Sequence, residues 1–196
     1  MKTDHPPLYG LVLAGGRSRR MGRDKARLEI DGMTQLERAM SAIEEVTERQ
    51  FVSARQDQAG DPVRRRYEQI VDRYEDLGPI AGILSAMDVW PDADWLVVAC
   101  DLPNLGADTL CYLIENRAAD APFTAFRSSH DGLPEPLCAI YPAASAPLLR
   151  LFVDDGIVCP RKMLINSSTA LLEQPDPHAL DNVNTPDDLA ACSLEG

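Results

Sequence analysis

Two segments of this chain, residues 8–14 and 95–100, are apolar runs of strand length almost without polar side chains. A strand with one wet face alternates apolar and polar residues. A strand without that alternation is covered on both faces, which is the pattern of a parallel sheet flanked by helices. The rest of the chain supports the same reading by taking turns between the two periods. Thr34 is an N-cap for a helix over 35–46 that carries Leu36, Met40 and Ile43 on one face. Pro79 suits the first turn of a helix through Val89, with Ile80, Ile83, Leu84 and Met87. Strands are expected at 50–54 and 69–72, extended segments at 122–126 and 137–141, and a late strand at 169–172. Further helices are expected at 107–117, 144–153 and 160–165, and a terminal one at 186–191 capped by Thr185. Residues 60–62 and 128–136 read as surface loops, the second able to move over a substrate. The expectation is a single α/β domain over 1–196, with helices on both faces of a mostly parallel sheet.

Composition narrows the function classes. A formal net charge of −12 disfavours general nucleic-acid binding, which needs a positive surface. No apolar run approaches the roughly 20 residues of a membrane span, and the first residues lack the pattern of a secretory signal. The expected compartment is therefore the cytoplasm. The five cysteines are scattered without a C-x-x-C pair, as suits a reducing compartment, and Cys100 and Cys138 read as small buried hydrophobes on strands. The three histidines form no recognisable triad or metal cluster.

In open parallel sheets, ligands bind beyond the carboxyl ends of the strands. Strand 8–14 runs into Gly15 and Gly16, followed by Arg17, Arg19, Arg20, Arg23 and Lys25 within ten residues. Glycines without Cβ let backbone amides approach a ligand closely, and the cations suit phosphate. The loop has neither the G-K-[ST] ending of a Walker A loop nor the G-x-G-x-x-G of dinucleotide oxidoreductases. The same edge collects Asp72, Asp101 and the small-residue stretch from Gly78 to Gly82. Asp101 is the candidate Mg²⁺ ligand, since magnesium uses one or two carboxylates together with phosphate oxygens and water. The competing reading makes Asp101 a cap of the turn before Pro103.

These residues resemble a known family. Leu13-Ala14-Gly15-Gly16, Arg20-Met21-Gly22 and Asp24-Lys25 are similar to the L-A-G-G-x-x-x-R-M-G-x-D-K loop of nucleotidyltransferases, above all the molybdenum cofactor guanylyltransferases. Gly78 to Gly82, Asp101-Leu102-Pro103, Pro134 to Leu137 and Asn182 to Asp187 follow in the family's order. Gly15–Gly16 in place of Ala–Gly resembles the guanylyl branch more than the cytidylyl one. The resemblance implies a three-layer α/β/α sandwich of the nucleotide-diphospho-sugar transferase type, with a nucleotide-binding half over about 8–105 and an acceptor half over about 106–192.

It further implies Mg²⁺-dependent transfer of GMP from GTP to the terminal phosphate of molybdopterin, with release of pyrophosphate. Leu13, Ala14, Gly15 and Gly16 would meet the nucleoside, and Ser53, Asp72 and Gly78 would lie near it, Ser53 standing where family members often carry Asn. Arg20 and Lys25 would hold the triphosphate and Asp101 the metal. Asn182 and Asn184, and more loosely Arg161 and Lys162, would meet the acceptor. A turn and helix cap explains the asparagines about as well, and an exposed helix face explains Arg161 and Lys162 nearly as well. A protein partner that hands over the cofactor also follows from the resemblance alone. Residues 120–180 carry no chemically legible motif. Two alternatives therefore stay open: transfer of GTP- or CTP-derived nucleotide to another phosphorylated acceptor, such as a sugar phosphate or cofactor precursor, and a non-catalytic nucleotide-binding or cofactor-carrying subunit.

Overall fold

A computed structural model describes residues 6–16 and 24–182. The expected helix at 186–191 lies outside them. Among the described residues seven strands form one sheet, in the order β5-β4-β1-β6-β8-β7-β9. They are β1 (Leu8–Leu13), β4 (Arg49–Ala54), β5 (Gln69–Val71), β6 (Asp94–Ala99), β7 (Thr124–Arg127), β8 (Pro134–Tyr141) and β9 (Ala170–Leu172). Two short strands, β2 (Glu29–Ile30) and β3 (Met33–Thr34), make a separate hairpin. Its Asp31 and Gly32 have φ of 51° and 78°, the positive pair that a two-residue hairpin turn requires. That Asp-Gly signal stands in the sequence between residues too few to read as strands.

The two apolar runs are the centre of the sheet. β1 pairs in parallel with both β4 and β6, and all six residues of β6 are buried. β8 is the one strand running against the rest, antiparallel to β6 and to β7. Helices α1 (Gln35–Glu44) and α3 (Ala107–Glu115) cover one face through Leu36, Met40, Ile43, Leu110 and Leu113. Helices α2 (Pro79–Val89), α4 (Ala146–Asp154) and α5 (Pro160–Ile165) cover the other through Ile80, Ile83, Leu84, Leu149 and Met163. The result is the expected three-layer sandwich around a mostly parallel sheet. None of the described helices is long and apolar enough to cross a membrane.

Local chemistry sets the element ends. Thr34 caps α1 in a reciprocal box, its Oγ1 accepting from the Glu37 amide at 3.1 Å while Glu37 accepts from the Thr34 amide at 2.9 Å. Helices α1 and α3 stop two residues short of their expected ends, and residues 143–145 form a 3₁₀ turn before α4. The larger correction concerns 128–136. Only the first part is a loop, because Pro134–Tyr141 is strand. Prolines lack the amide a ladder needs, but β6 pairs with β8 only from Cys138 to Tyr141, so Pro134 and Pro136 lie where no donor to β6 is required.

The order of strands creates the crevice. From β1 the chain moves outward to β4 and β5, and α2 then carries it back across to β6 on the other side of β1. That reversal opens a cleft at the carboxyl ends of the strands. The ladder continues just past the strands, with Ala14 donating to Ser53 O at 3.2 Å, Cys100 to Leu13 O at 3.4 Å and Asp72 to Ala54 O at 2.9 Å. Four chain segments thus arrive at one edge in register.

Candidate nucleotide site

That edge holds a cavity of about 1520 Å³ whose lining includes Leu13, Ala14, Gly15, Gly16, Lys25, Ser53, Asp72, Gly78 and Asp101. Every described residue expected at the nucleotide is therefore brought to one cleft. Arg20, also expected there, lies outside the described residues, as does Asn184.

Lys25 sits in a 3₁₀ turn, residues 25–27, that Asp24 caps by accepting from the Ala26 amide at 3.1 Å. From there its ammonium reaches across to Asp101 and donates to Oδ2 at 2.6 Å, both side chains being 19% exposed. Among the described residues no backbone amide donates to Asp101. The turn that follows is closed instead by Leu105 N to Leu102 O at 3.2 Å, so no described hydrogen bond supports the capping reading of Asp101. A carboxylate whose partner is a cation, facing the cavity, fits a hard metal ion. Among the described residues no group of three or more His, Cys, Asp or Glu is arranged to hold a metal. An ion at Asp101 would need phosphate oxygens and water to complete its shell, which is the ordinary habit of magnesium.

At the base of the cleft, Ser53 is buried and donates to Asp72 Oδ1 at 2.9 Å. Burial raises the Asp72 carboxyl above its ordinary range, while the Ser53 hydroxyl and nearby Arg55 pull the other way. Gly78 opens α2 with φ of 63° ahead of Pro79. One turn on, Gly82 passes so close to the sheet that a methyl there would overlap Ser53 Oγ and come within 2.9 Å of Leu13 Cδ2. Small residues in this stretch let the start of α2 descend onto the strand ends. Cys100 and Cys138 are buried as expected, and burial beside Asp101 pushes the Cys100 thiol up to about 12, so it stays protonated.

Two arginines that the sequence did not single out complete the turn. Arg64 is fully buried and donates to the Ala14 carbonyl through Nε at 3.2 Å and Nη2 at 2.5 Å. Arg55 donates from Nη1 to the Gly15 carbonyl at 2.6 Å. Arg55 directly follows the end of β4, so the strand-end rule that selected Asp72 could have found it. Arg64 stands in an Arg64-Arg65-Arg66 run that reads as a solvated face, and nothing local distinguishes it.

The expected acceptor residues divide. Arg161 and Asn182 line a second cavity of about 210 Å³, which shares Leu137 with the first. Arg161 is held by Asp131 at 2.8 Å and Glu135 at 2.9 Å. Lys162 is exposed and belongs to the lining of neither cavity, so for it the exposed helix face is the better description.

The family model described as MobA-like NTP transferase domain matches residues 10–170, from the middle of β1 to the start of β9. The chain belongs to this family. Among curated relatives of this nucleotidyltransferase, a molybdenum cofactor biosynthesis bifunctional protein of Synechocystis is 34% identical over 93% of the chain. The chain spans 52% of that protein's length. A probable molybdenum cofactor guanylyltransferase of Trichormus variabilis is 30% identical over 96% of the chain and 91% of its own length. A solved structure, molybdopterin-guanine dinucleotide biosynthesis protein A from Archaeoglobus fulgidus, superposes with a TM-score of 0.79 at 24% identity, covering 95% of this chain and 97% of that one. It supports the fold.

Proposed function

We propose that this nucleotidyltransferase is a molybdenum cofactor guanylyltransferase, moving GMP from GTP to the terminal phosphate of molybdopterin or its molybdenum-loaded form. The observation that carries the reading is the convergence of the 13–16 turn, Lys25 and Asp101 on one cavity in a chain of this family. In the reaction an acceptor phosphate oxygen bonds to the α-phosphorus of GTP. The bond from that phosphorus to the β-bridging oxygen breaks, and its electron pair leaves with pyrophosphate. A phosphate monoester is already an anionic nucleophile, so no dedicated base is required. Catalysis is positioning and charge neutralisation.

The residues divide the work accordingly. The 13–16 turn, Ser53, Asp72 and Gly78 take the nucleoside end, and Lys25, with Arg20 from the motif, takes the triphosphate. Asp101 would hold Mg²⁺, which would supply neutralisation of developing phosphate charge. The Lys25 ammonium 2.6 Å from Asp101 is a cation already at that carboxylate, and with a metal ion at Asp101 it would be placed to meet phosphate instead. A metal cation would add to the positive charge that the triphosphate meets. The described lining of the cavity carries Asp24, Asp57, Asp72, Glu75, Asp76 and Asp101 against Lys25, Arg55 and Arg73. Arg161 and Asn182 at the adjoining cavity, with Asn184 from the motif, serve the acceptor. The division into a nucleotide half over about 8–105 and an acceptor half over about 106–192 follows this assignment. A cytoplasmic location and a partner that hands over the cofactor accompany the family reading.

The test is a panel of nucleotides and acceptors with purified protein, reading pyrophosphate release. Release with GTP and Mg²⁺ only when molybdopterin is present supports the proposal. Equal use of CTP or ATP overturns the guanylyl assignment. Release with a sugar phosphate in place of molybdopterin favours the broader nucleotidyltransferase, and no release with any pair favours a non-catalytic nucleotide-binding protein.

A further inference from the structure

Among the described residues, Arg64 alone of the arginines has no exposed surface, and it holds both Ala14 and Asp24. Ala14 follows the end of β1 and Asp24 caps the 3₁₀ turn that carries Lys25, and both line the cavity. Arg64 donates to the Ala14 carbonyl from Nε and Nη2, to Asp24 Oδ2 from Nη1 at 2.7 Å and to Asp24 Oδ1 from Nη2 at 3.0 Å. Asp61 Oδ1 lies 3.4 Å from Nη1 and orients the residue from its own side, accepting from the Val63 and Arg64 amides at 3.0 and 3.2 Å. The partners on the turn are 50 and 40 residues away in sequence. The guanidinium is thus a rigid fork that fixes Ala14 and Asp24 relative to each other.

The consequence follows from peptide geometry. In a trans peptide the C=O and the following N–H point in opposite directions. Holding the Ala14 carbonyl therefore turns the Gly15 amide away from Arg64. Arg55, holding the Gly15 carbonyl, does the same for the Gly16 amide. Among the described residues neither glycine amide donates to a protein group, and both glycines line the cavity. On the Asp24 side, the same fork anchors the cap of the turn that carries Lys25. Stability alone is a weak reason to keep such a charge, because buried ion pairs replaced by well-packed apolar groups often leave a protein no less stable.

We propose that Arg64 is a positioning residue for nucleotide binding, aiming the Gly15 amide and setting the root of Lys25 without touching the ligand. The inference rests on the reading of this cavity as the GTP site. Arg64→Lys keeps the charge but replaces the planar five-donor fork with a compact ammonium of three donors, which cannot reproduce the paired contacts to Ala14 and Asp24. A misaligned hydrogen bond to charged phosphate forfeits roughly 10- to 100-fold in affinity, and that is the expected loss of GTP affinity.

The experiment is calorimetric titration of the full chain with GTP and Mg²⁺, with thermal melts of each variant. Arg49→Lys is the matched control. Arg49 lies at the start of β4, away from the cavity, with its guanidinium 4.4 Å from the Trp90 ring centroid and 2.8 Å from Glu68. The expected result is a cooperative melt for Arg64→Lys or Arg64→Gln with weakened GTP binding, while Arg49→Lys lowers the melting temperature and leaves GTP affinity within twofold. Arg64 variants that melt early but bind GTP like the parent overturn the proposal. So does failure of both to fold, which assigns Arg64 to the fold rather than to the site. If the parent chain itself does not bind GTP, the reading of the cavity fails. Parent binding with unaffected Arg64 variants defeats the positioning role alone.

Discussion

Asp101→Asn should change GTP affinity in opposite directions with and without magnesium. In the free protein Asp101 accepts from Lys25 at 2.6 Å, with both groups only 19% exposed. On the proposed assignment, the carboxylate would support Mg²⁺ and Lys25 would turn to phosphate. The variant then loses a charged contact of roughly 1.5–3 kcal/mol, or roughly 10- to 150-fold in affinity, and with it turnover. Without metal the carboxylate opposes the triphosphate and keeps Lys25 occupied. A unit charge at about 5 Å in an effective dielectric near 20 repels by about 3 kcal/mol before salt screening. Neutralising it should therefore tighten GTP binding in EDTA by roughly tenfold once screening is allowed for. Lys25→Ala should weaken binding by roughly 10- to 150-fold with Mg²⁺ and by less in EDTA, where the lysine still serves Asp101. Calorimetric titration of GTP in excess Mg²⁺ and in EDTA reads both variants. An Asp101→Asn effect of the same sign in the two buffers would falsify the exchange of Lys25 for metal at this carboxylate.

Burial raises the Asp72 carboxyl above its ordinary value, against the Ser53 hydrogen bond and the Arg55 charge. Such a group contributes stability that is complete below its unfolded pKa and is lost as pH rises through the folded one. Asp72→Asn should accordingly melt higher than the parent at neutral pH, the gap closing as pH falls to about 4, while GTP binding weakens. An unchanged melting temperature at neutral pH counts against a desolvated carboxylate. Gly82→Ala gains about 1 kcal/mol of helix propensity but overpacks Ser53 and Leu13, a cost of about 1–3 kcal/mol. Urea denaturation should show a net loss that Ser53→Ala partly relieves, and a more stable Gly82→Ala refutes the close approach.

Much of the framework was legible because its causes are local. The apolar runs of β1 and β6 announce strands covered on both faces, and Thr34 and Pro79 mark helix starts through their own capping chemistry. The strand-end rule then led from β1, β5 and β6 to Gly15, Asp72 and Asp101, which share one cavity. Where local signals conflicted the reading slipped. Residues 134–136 read as loop, yet they are strand, and their position beyond the β6 pairing leaves no ladder on that side for the missing proline amides to break.

By itself, then, the sequence determined the layers, the central strands, the glycine turn and which residues stand at the ends of the strands. Hydrophobic period, caps and turn chemistry act over a few neighbours, so they survive in the linear order. Only the tertiary structure decided that Lys25 pairs with Asp101 across 76 residues, that Arg64 is buried against Ala14 and Asp24, and that Arg161 faces a cavity while Lys162 faces solvent. A basic side chain looks the same in sequence whether it is solvated or gripping a carbonyl. The distinction is made by which distant groups the sheet brings within hydrogen-bond reach.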